Sequence, residues 1–234
     1  MFKAYIITTI NAFDSDKVRA LTERASQSCK KFDIQPVLFD AVVPATLEKY
    51  YPGWPVREDY RERLLNNYRR KAGKEPTKEI ENRMIVMQQC MTMSHYEVRK
   101  KIIEKNETAI VLEHDAVIMR PLDLDQPYAT RCVNLCPREQ ATHGYVINPT
   151  SAKKYNDIYE KIGFAGHDNM NRYINQYEVI KITPYPGQGH PVVGGNALDE
   201  SQWDTHRGAL KTHLDYVPTT TTGVYDAHGK PETR

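Results

Sequence analysis

Two hydrophobic periods take turns along this chain. Residues 4–10, Ala-Tyr-Ile-Ile-Thr-Thr-Ile, form an apolar run of strand length, and the Asn, Asp and Ser of residues 11–16 mark a turn. Val18, Leu21, Ala25 and Cys29 then recur at steps of three and four, which predicts a helix over 16–31. Residues 35–43 return to strand, so the first forty-odd residues predict a βαβ unit. Further on, Ile80, Met84, Met87, Met91, Val98 and Ile102 predict a long helix over 79–105, ended by Asn106-Glu107. Ala109 to Leu112 is apolar without a break, as expected of a strand buried on both faces. Short strands are expected at 131–135, 142–148 and 178–183, and helices at 150–161 and from Asp168 to near Tyr177. Gly and Pro are dense from Pro184 onward, and the polar residues 219–234 read as a mobile tail. The alternation predicts an α/β protein: one catalytic-sized domain over 1–218, then the tail.

Residues 44–79 interrupt this pattern. Pro44, Pro52, Gly53, Pro55, Gly73 and Pro76 punctuate them, and between them lies a helix with a basic face: Arg57, Arg61, Arg63, Arg69, Arg70, Lys71 and Lys74 against Glu58, Asp59 and Glu62. The 56–78 segment reads as a helical insertion whose charge is either a solvated face or a surface for phosphate. Over the whole chain, Lys plus Arg is 32 and Asp plus Glu is 30, which neither demands nor excludes a polyanionic partner. The 15 tyrosines suggest a half-exposed binding groove. Cys29, Cys90, Cys132 and Cys136 match no disulfide framework or zinc spacing and are expected as reduced core thiols. No stretch has the length of a membrane span or the form of a signal peptide, so a cytoplasmic location is expected (host cytoplasm if the protein is viral).

The chemistry concentrates at Leu112-Glu113-His114-Asp115-Ala116, where a buried strand runs into two acids. Ligands of open α/β sheets collect outside the carboxyl ends of strands, and an acid-x-acid triplet there can hold a divalent cation, which in turn holds a diphosphate. The plainer alternative is a strand end with two solvated acids. If the strand persists, His114 points away from its neighbours, toward the core or a sheet face.

Several stretches, in order, resemble glycosyltransferase family 25, the lipooligosaccharide and collagen hydroxylysine galactosyltransferase type. They are Tyr5-Ile6-Ile7-Thr8-Thr9, Phe39-Asp40-Ala41-Val42, Cys90 with Ser94-His95, Leu112 to Val117, Thr142-His143-Gly144-Tyr145-Val146-Ile147 and Ala152-Lys153-Lys154. Three features depart from the family pattern: His114 replaces the middle acid, the Asn and Arg residues of the first loop are largely missing, and the basic 56–78 segment sits where many members have a shorter connection.

The resemblance implies a GT-A-like fold, a mixed sheet flanked by helices, here carrying the basic helical insertion. It implies inverting transfer of a sugar from a nucleoside-diphosphate sugar, with UDP the expected nucleotide, assisted by Mn²⁺ or Mg²⁺. On that reading Asp115 is the first metal ligand, and Glu113 binds metal through water or holds the ribose. His190, Asp204 and His206 are candidates for a further ligand, with His190 nominated. Thr8, Thr9, Ala41, Ser94, His95 and Glu113 are the donor-binding candidates, and Asp168, opening a helix, is the catalytic base or only an N-cap. The acceptor is open between a glycan, a lipid-linked saccharide, a protein and a hydroxylated DNA base. A catalytically inactive nucleotide-sugar-binding module and a metal-dependent hydrolase remain as alternatives.

Overall fold

The computed structural model describes residues 2–13, 15–50, 55–118, 121–122, 131–135, 143–167, 181–184 and 193–194. The strands are β1 (Lys3–Thr8), β2 (Gln35–Asp40), β3 (Ala109–Glu113), β4 (Val117–Ile118), β5 (Arg131–Asn134), β6 (Gly144–Ile147), β7 (Lys181–Pro184) and β8 (Val193–Gly194). The helices are α1 (Asp16–Lys31), α2 (Leu47–Tyr50), α3 (Glu58–Ala72), α4 (Lys78–Lys105) and α5 (Pro149–Ile162), with one 3₁₀ turn at Pro44–Thr46.

Six strands form a mixed sheet in the order β2-β1-β3-β6-β5-β7, and β4 pairs with β8 separately. β1 runs parallel to both β2 and β3, β6 is antiparallel to β3 and β5, and β7 is parallel to β5. The expected α/β class therefore holds, with a mixed sheet flanked by helices.

Alternation along the central strands explains the layers. Ala4 and Ile6 of β1, with Ile110 and Leu112 of β3, pack with Ala25 and Cys29 of α1. Tyr5 and Ile7, with Val111, pack on the opposite face with Met93, Val98 and Ile102 of α4 and Ala152, Tyr155 and Tyr159 of α5. Ala109 through Leu112 have no exposed surface at all. Burying one such Val, Leu or Ile side chain is worth about 1.5–3 kcal/mol, so β3 is held from both sides.

Local chemistry sets the helix ends. Ser15, Thr77 and Asn148 each accept a backbone N–H from the first turn of α1, α4 and α5. Asn106 closes α4 at a φ of +50°, and Gly73 closes α3 at +65°. Two expected strands end early. Thr8 Oγ1 accepts the Ile10 N–H at 3.2 Å, and Ala12 N–H returns to Thr9 O, so β1 turns after Thr8. Val42 N–H goes to Ser94 Oγ at 2.8 Å instead of to a strand, so β2 stops at Asp40.

The 56–78 insertion is α3 with its flanks, and it is bonded to the chain just after α5. Phe164 N–H donates to Pro55 O and Arg57 N–H to Phe164 O, while the Tyr60 ring meets Phe164 edge-on. Tyr60 OH donates to Gln88 Oε1 on α4 at 2.8 Å. This contact requires glycine at 166: a Cβ there would lie 2.2 Å from the Tyr60 hydroxyl, and φ is +71°. Gly73 shares the left-handed backbone, but a Cβ there would meet nothing within 4 Å. Gly73→Ala should therefore cost only the backbone term, about 1–2 kcal/mol. Gly166→Ala adds displacement of Tyr60 and should lower the urea-unfolding free energy by clearly more.

Candidate functional site

A cavity of about 270 Å³ opens at the carboxyl ends of the three parallel strands. Ile7 and Thr9 come from the end of β1, Ala41 to Pro44 follow β2, and Glu113 to Asp115 end β3. Met87, Gln88, Cys90, Met91, Ser94 and His95 of α4 form one wall, and Phe13 contributes from the β1–α1 connection. The chain leaves β1 toward β2 on one side and returns as β3 on the other, so the cavity lies at the switch point of strand order.

β3 ends at Glu113, and Ala116 N–H closes a turn onto Glu113 O at 2.9 Å. His114 and Asp115 therefore sit in a turn, where strand alternation no longer applies. His114 lines the same cavity as Glu113 and Asp115, contrary to the core or sheet-face orientation expected of a continuing strand.

The two acids differ sharply. Asp115 is 2% exposed, and no described residue hydrogen-bonds or ion-pairs with its carboxylate. Burying an ionised carboxylate without a partner is costly, and the space in front of it is the cavity. Glu113 is held at both oxygens. His143 Nδ1 lies 2.8 Å from Oε2, and His95 Nε2 lies 3.5 Å from Oε1. The antiparallel register explains the first contact: Leu112 pairs with Gly144, and the next step puts Glu113 against His143, whose carbonyl also accepts the Glu113 N–H. Burial alone would raise the Glu113 carboxyl, but the charge and hydrogen bond of His143, with His95 behind them, hold it well below the usual carboxylate range.

Behind His95 lies a buried polar cluster. His95 Nδ1 is 3.1 Å from Tyr145 OH, and Arg99 Nη1 donates to the same hydroxyl at 3.4 Å. Arg99 is wholly buried; its Nε donates to Asn156 Oδ1 at 2.7 Å, and its guanidinium lies 4.3 Å from the Tyr155 ring centroid. His167 stacks on His95 with ring centroids 3.6 Å apart and planes 6° from parallel. Burial, reinforced by the nearby Arg99 guanidinium, pushes His167 well below the ordinary imidazole range, so it is neutral at pH 7.

The remaining nominated residues divide by use. Thr9 and Ala41 line the cavity. Thr8 faces Thr22 Oγ1 at 2.8 Å and is buried, so its hydroxyl is spent inside the protein. Ser94 and His95 line the wall, but Ser94 accepts from Val42 N–H and donates to Cys90 O, and His95 bridges Glu113 and Tyr145. Asp168, His190, Asp204 and His206 lie outside the described residues, as do Thr142, Cys136, the helix expected to Tyr177 and the 219–234 tail. Among the described residues no group of three or more His, Cys, Asp or Glu is placed to hold a metal ion.

Two compositional expectations change. None of the described residues lining the cavity is tyrosine; Tyr5, Tyr60, Tyr68, Tyr145, Tyr155 and Tyr159 are buried in the core instead. Three of the seven basic residues named in the insertion are seen in ion pairs: Arg57 with Asp59, Arg61 with Glu58 and Glu81, and Arg69 with Glu62 and Glu75. Cys29, Cys90 and Cys132 are buried free thiols, each pushed up to about 12 by burial, which makes them poor nucleophiles. No described helix is long and apolar enough to cross a membrane.

No family model matches this chain, and no curated protein does. Eight solved chains match it, among them a glycosyltransferase involved in the glycosylation of the major capsid of PBCV-1. That likeness covers 79% of this chain and 82% of the other at 10% identity, with a TM-score of 0.39. A likeness so loose assigns no function.

The site makes acid stability predictable. His167 titrates near 6.5 when unfolded and far lower when folded, so the unfolded state binds more protons as pH drops below about 6.5. Stability present above that value is lost on acidification. Glu113, depressed from 4.5, adds a second loss in the same direction at lower pH. His167→Phe keeps a ring against His95 and cannot take a proton. Its melting temperature should stay flatter than wild type from about pH 6.5 to 5 and then fall with it.

Proposed function

We propose that this protein is a metal-dependent, inverting glycosyltransferase that moves a sugar from a nucleoside-diphosphate sugar to an acceptor hydroxyl. One observation carries the reading: Asp115, buried and without a partner among the described residues, faces a cavity at the carboxyl ends of β1, β2 and β3. A cation would supply the missing partner, and hard oxygen ligands suit Mn²⁺ or Mg²⁺. The mixed sheet flanked by helices is compatible with the GT-A arrangement that the resemblance to family 25 implies.

In this reading Asp115 would hold the ion, and Glu113, whose oxygens face two imidazoles, would support it from beside the cavity. The bound metal would stabilise the charge that develops on the departing nucleoside diphosphate. The apolar wall of Phe13, Val43, Met87 and Met91 shields the site from water, and Thr9 offers a hydroxyl to the donor. Asp168 is the proposed base: it takes the proton of the acceptor hydroxyl as that oxygen attacks the sugar carbon and the diphosphate leaves. UDP is the expected nucleotide. The acceptor is a glycan, a lipid-linked saccharide, a protein or a hydroxylated DNA base.

The test is a panel of nucleotide sugars with Mn²⁺, scored by thermal shift and nucleotide release. Binding at 100 times Kd should stabilise the fold by about 2.7 kcal/mol, and the gain should vanish with chelator or with Asp115→Asn. Asp168→Asn, isosteric with the native residue, should lose about 10²–10⁴ in rate. Full turnover in chelator, or in Asp115→Asn, would overturn the proposal.

A further inference from the structure

Hydrogen-bond direction can be followed from Arg99 to the cavity. Arg99 Nη1 can only donate, so at 3.4 Å it gives a proton to the Tyr145 oxygen. Glu113, ionised, can only accept, so the His95 Nε2 facing its Oε1 carries a proton. Between these ends a single arrangement satisfies every group: Tyr145 O–H donates to His95 Nδ1. The opposite tautomer would aim an imidazole lone pair at the carboxylate and leave the tyrosine proton without an acceptor among the described residues. A doubly protonated His95 would leave the tyrosine proton equally stranded and add a second cation to the Arg99 cluster. Arg99 itself has no carboxylate among its described hydrogen-bond partners; Asn156, Tyr145 and the ring faces of Tyr155 and Tyr159 surround it.

We propose that Arg99 and Tyr145 are positioning residues: acting through His95, they fix its neutral Nε2–H tautomer and thereby the orientation of the Glu113 carboxylate at the cavity wall. Arg99 does not itself line the cavity, yet its permanent donor sets the direction of each bond in the series. This role holds whatever occupies the cavity, so it stands or falls separately from the transferase reading.

The test uses the full chain with ¹⁵N-labelled histidine and reads the imidazole nitrogens at neutral pH, with His95 assigned by its loss in His95→Gln. Wild type should show His95 as a single neutral tautomer, protonated at Nε2. Tyr145→Phe keeps the ring and removes only the hydroxyl, so His95 should shift to a mixture of tautomers while the other imidazoles stay in place. Arg99→Met should shift His95 in the same direction. If Arg99→Met does not fold, Tyr145→Phe decides alone. A wild-type His95 protonated at Nδ1, a Tyr145→Phe spectrum unchanged at His95, or a folded Arg99→Met with wild-type His95 signals would each overturn the proposal. A merely structural role for Tyr145 or Arg99 would lower the melting temperature and leave the His95 tautomer as it was.

Discussion

A carboxylate at the end of a fully buried strand must be compensated, and the ends of this sheet are arranged around that requirement. Glu113 follows four residues with no exposed surface, and water cannot fully solvate it there. Two imidazoles do so instead, one from the neighbouring antiparallel strand and one from the helix above. His143 reaches Glu113 because of strand register, and His95 because α4 lies across the sheet. The second histidine connects to Tyr145, Arg99 and Asn156, so the compensation of one acid draws a polar core into the centre of the α4–α5 layer.

Two residues along the chain, Asp115 has no such compensation among the described residues. The contrast between the acids is what separates scaffold from site. Glu113 is consumed by the protein. Asp115 is buried, faces open space and is left for something from outside. The cavity in front of it lies where the strand order reverses, because a crossover to each side of β1 parts the connecting segments above the sheet.

The insertion around α3 takes a structural place in this arrangement. Arg57, Arg61 and Arg69 pair with neighbouring glutamates and an aspartate, and Tyr60 ties Gln88 of the cavity wall to the glycine loop that carries His167. A charge run that suggests a binding face in one dimension is partly spent on intramolecular pairs in three. Isolated exposed pairs of this kind contribute little to stability. The apolar contacts of Tyr60 with Phe164 hold the insertion in place.

The amino-acid sequence by itself determined the elements and their layers. Periodicity alone located α1, α4, α5 and the buried β3, since each element must bury one face or both. It also located the acids at the end of β3. Strand ends were less legible: β1 and β2 stop where Thr8 and Ser94 side chains take over backbone N–H groups, and the Ser94 contact spans 52 positions in the chain. Only the tertiary structure decided which acid is spent and which remains. That depends on His143, His95 and Tyr145 meeting at one point, and strand register with helix placement brings them there from three separate segments. Tyrosine abundance misled for the same reason. Composition counts a side chain without its surroundings, and here Tyr145, Tyr155 and Tyr159 face a buried arginine instead of a groove.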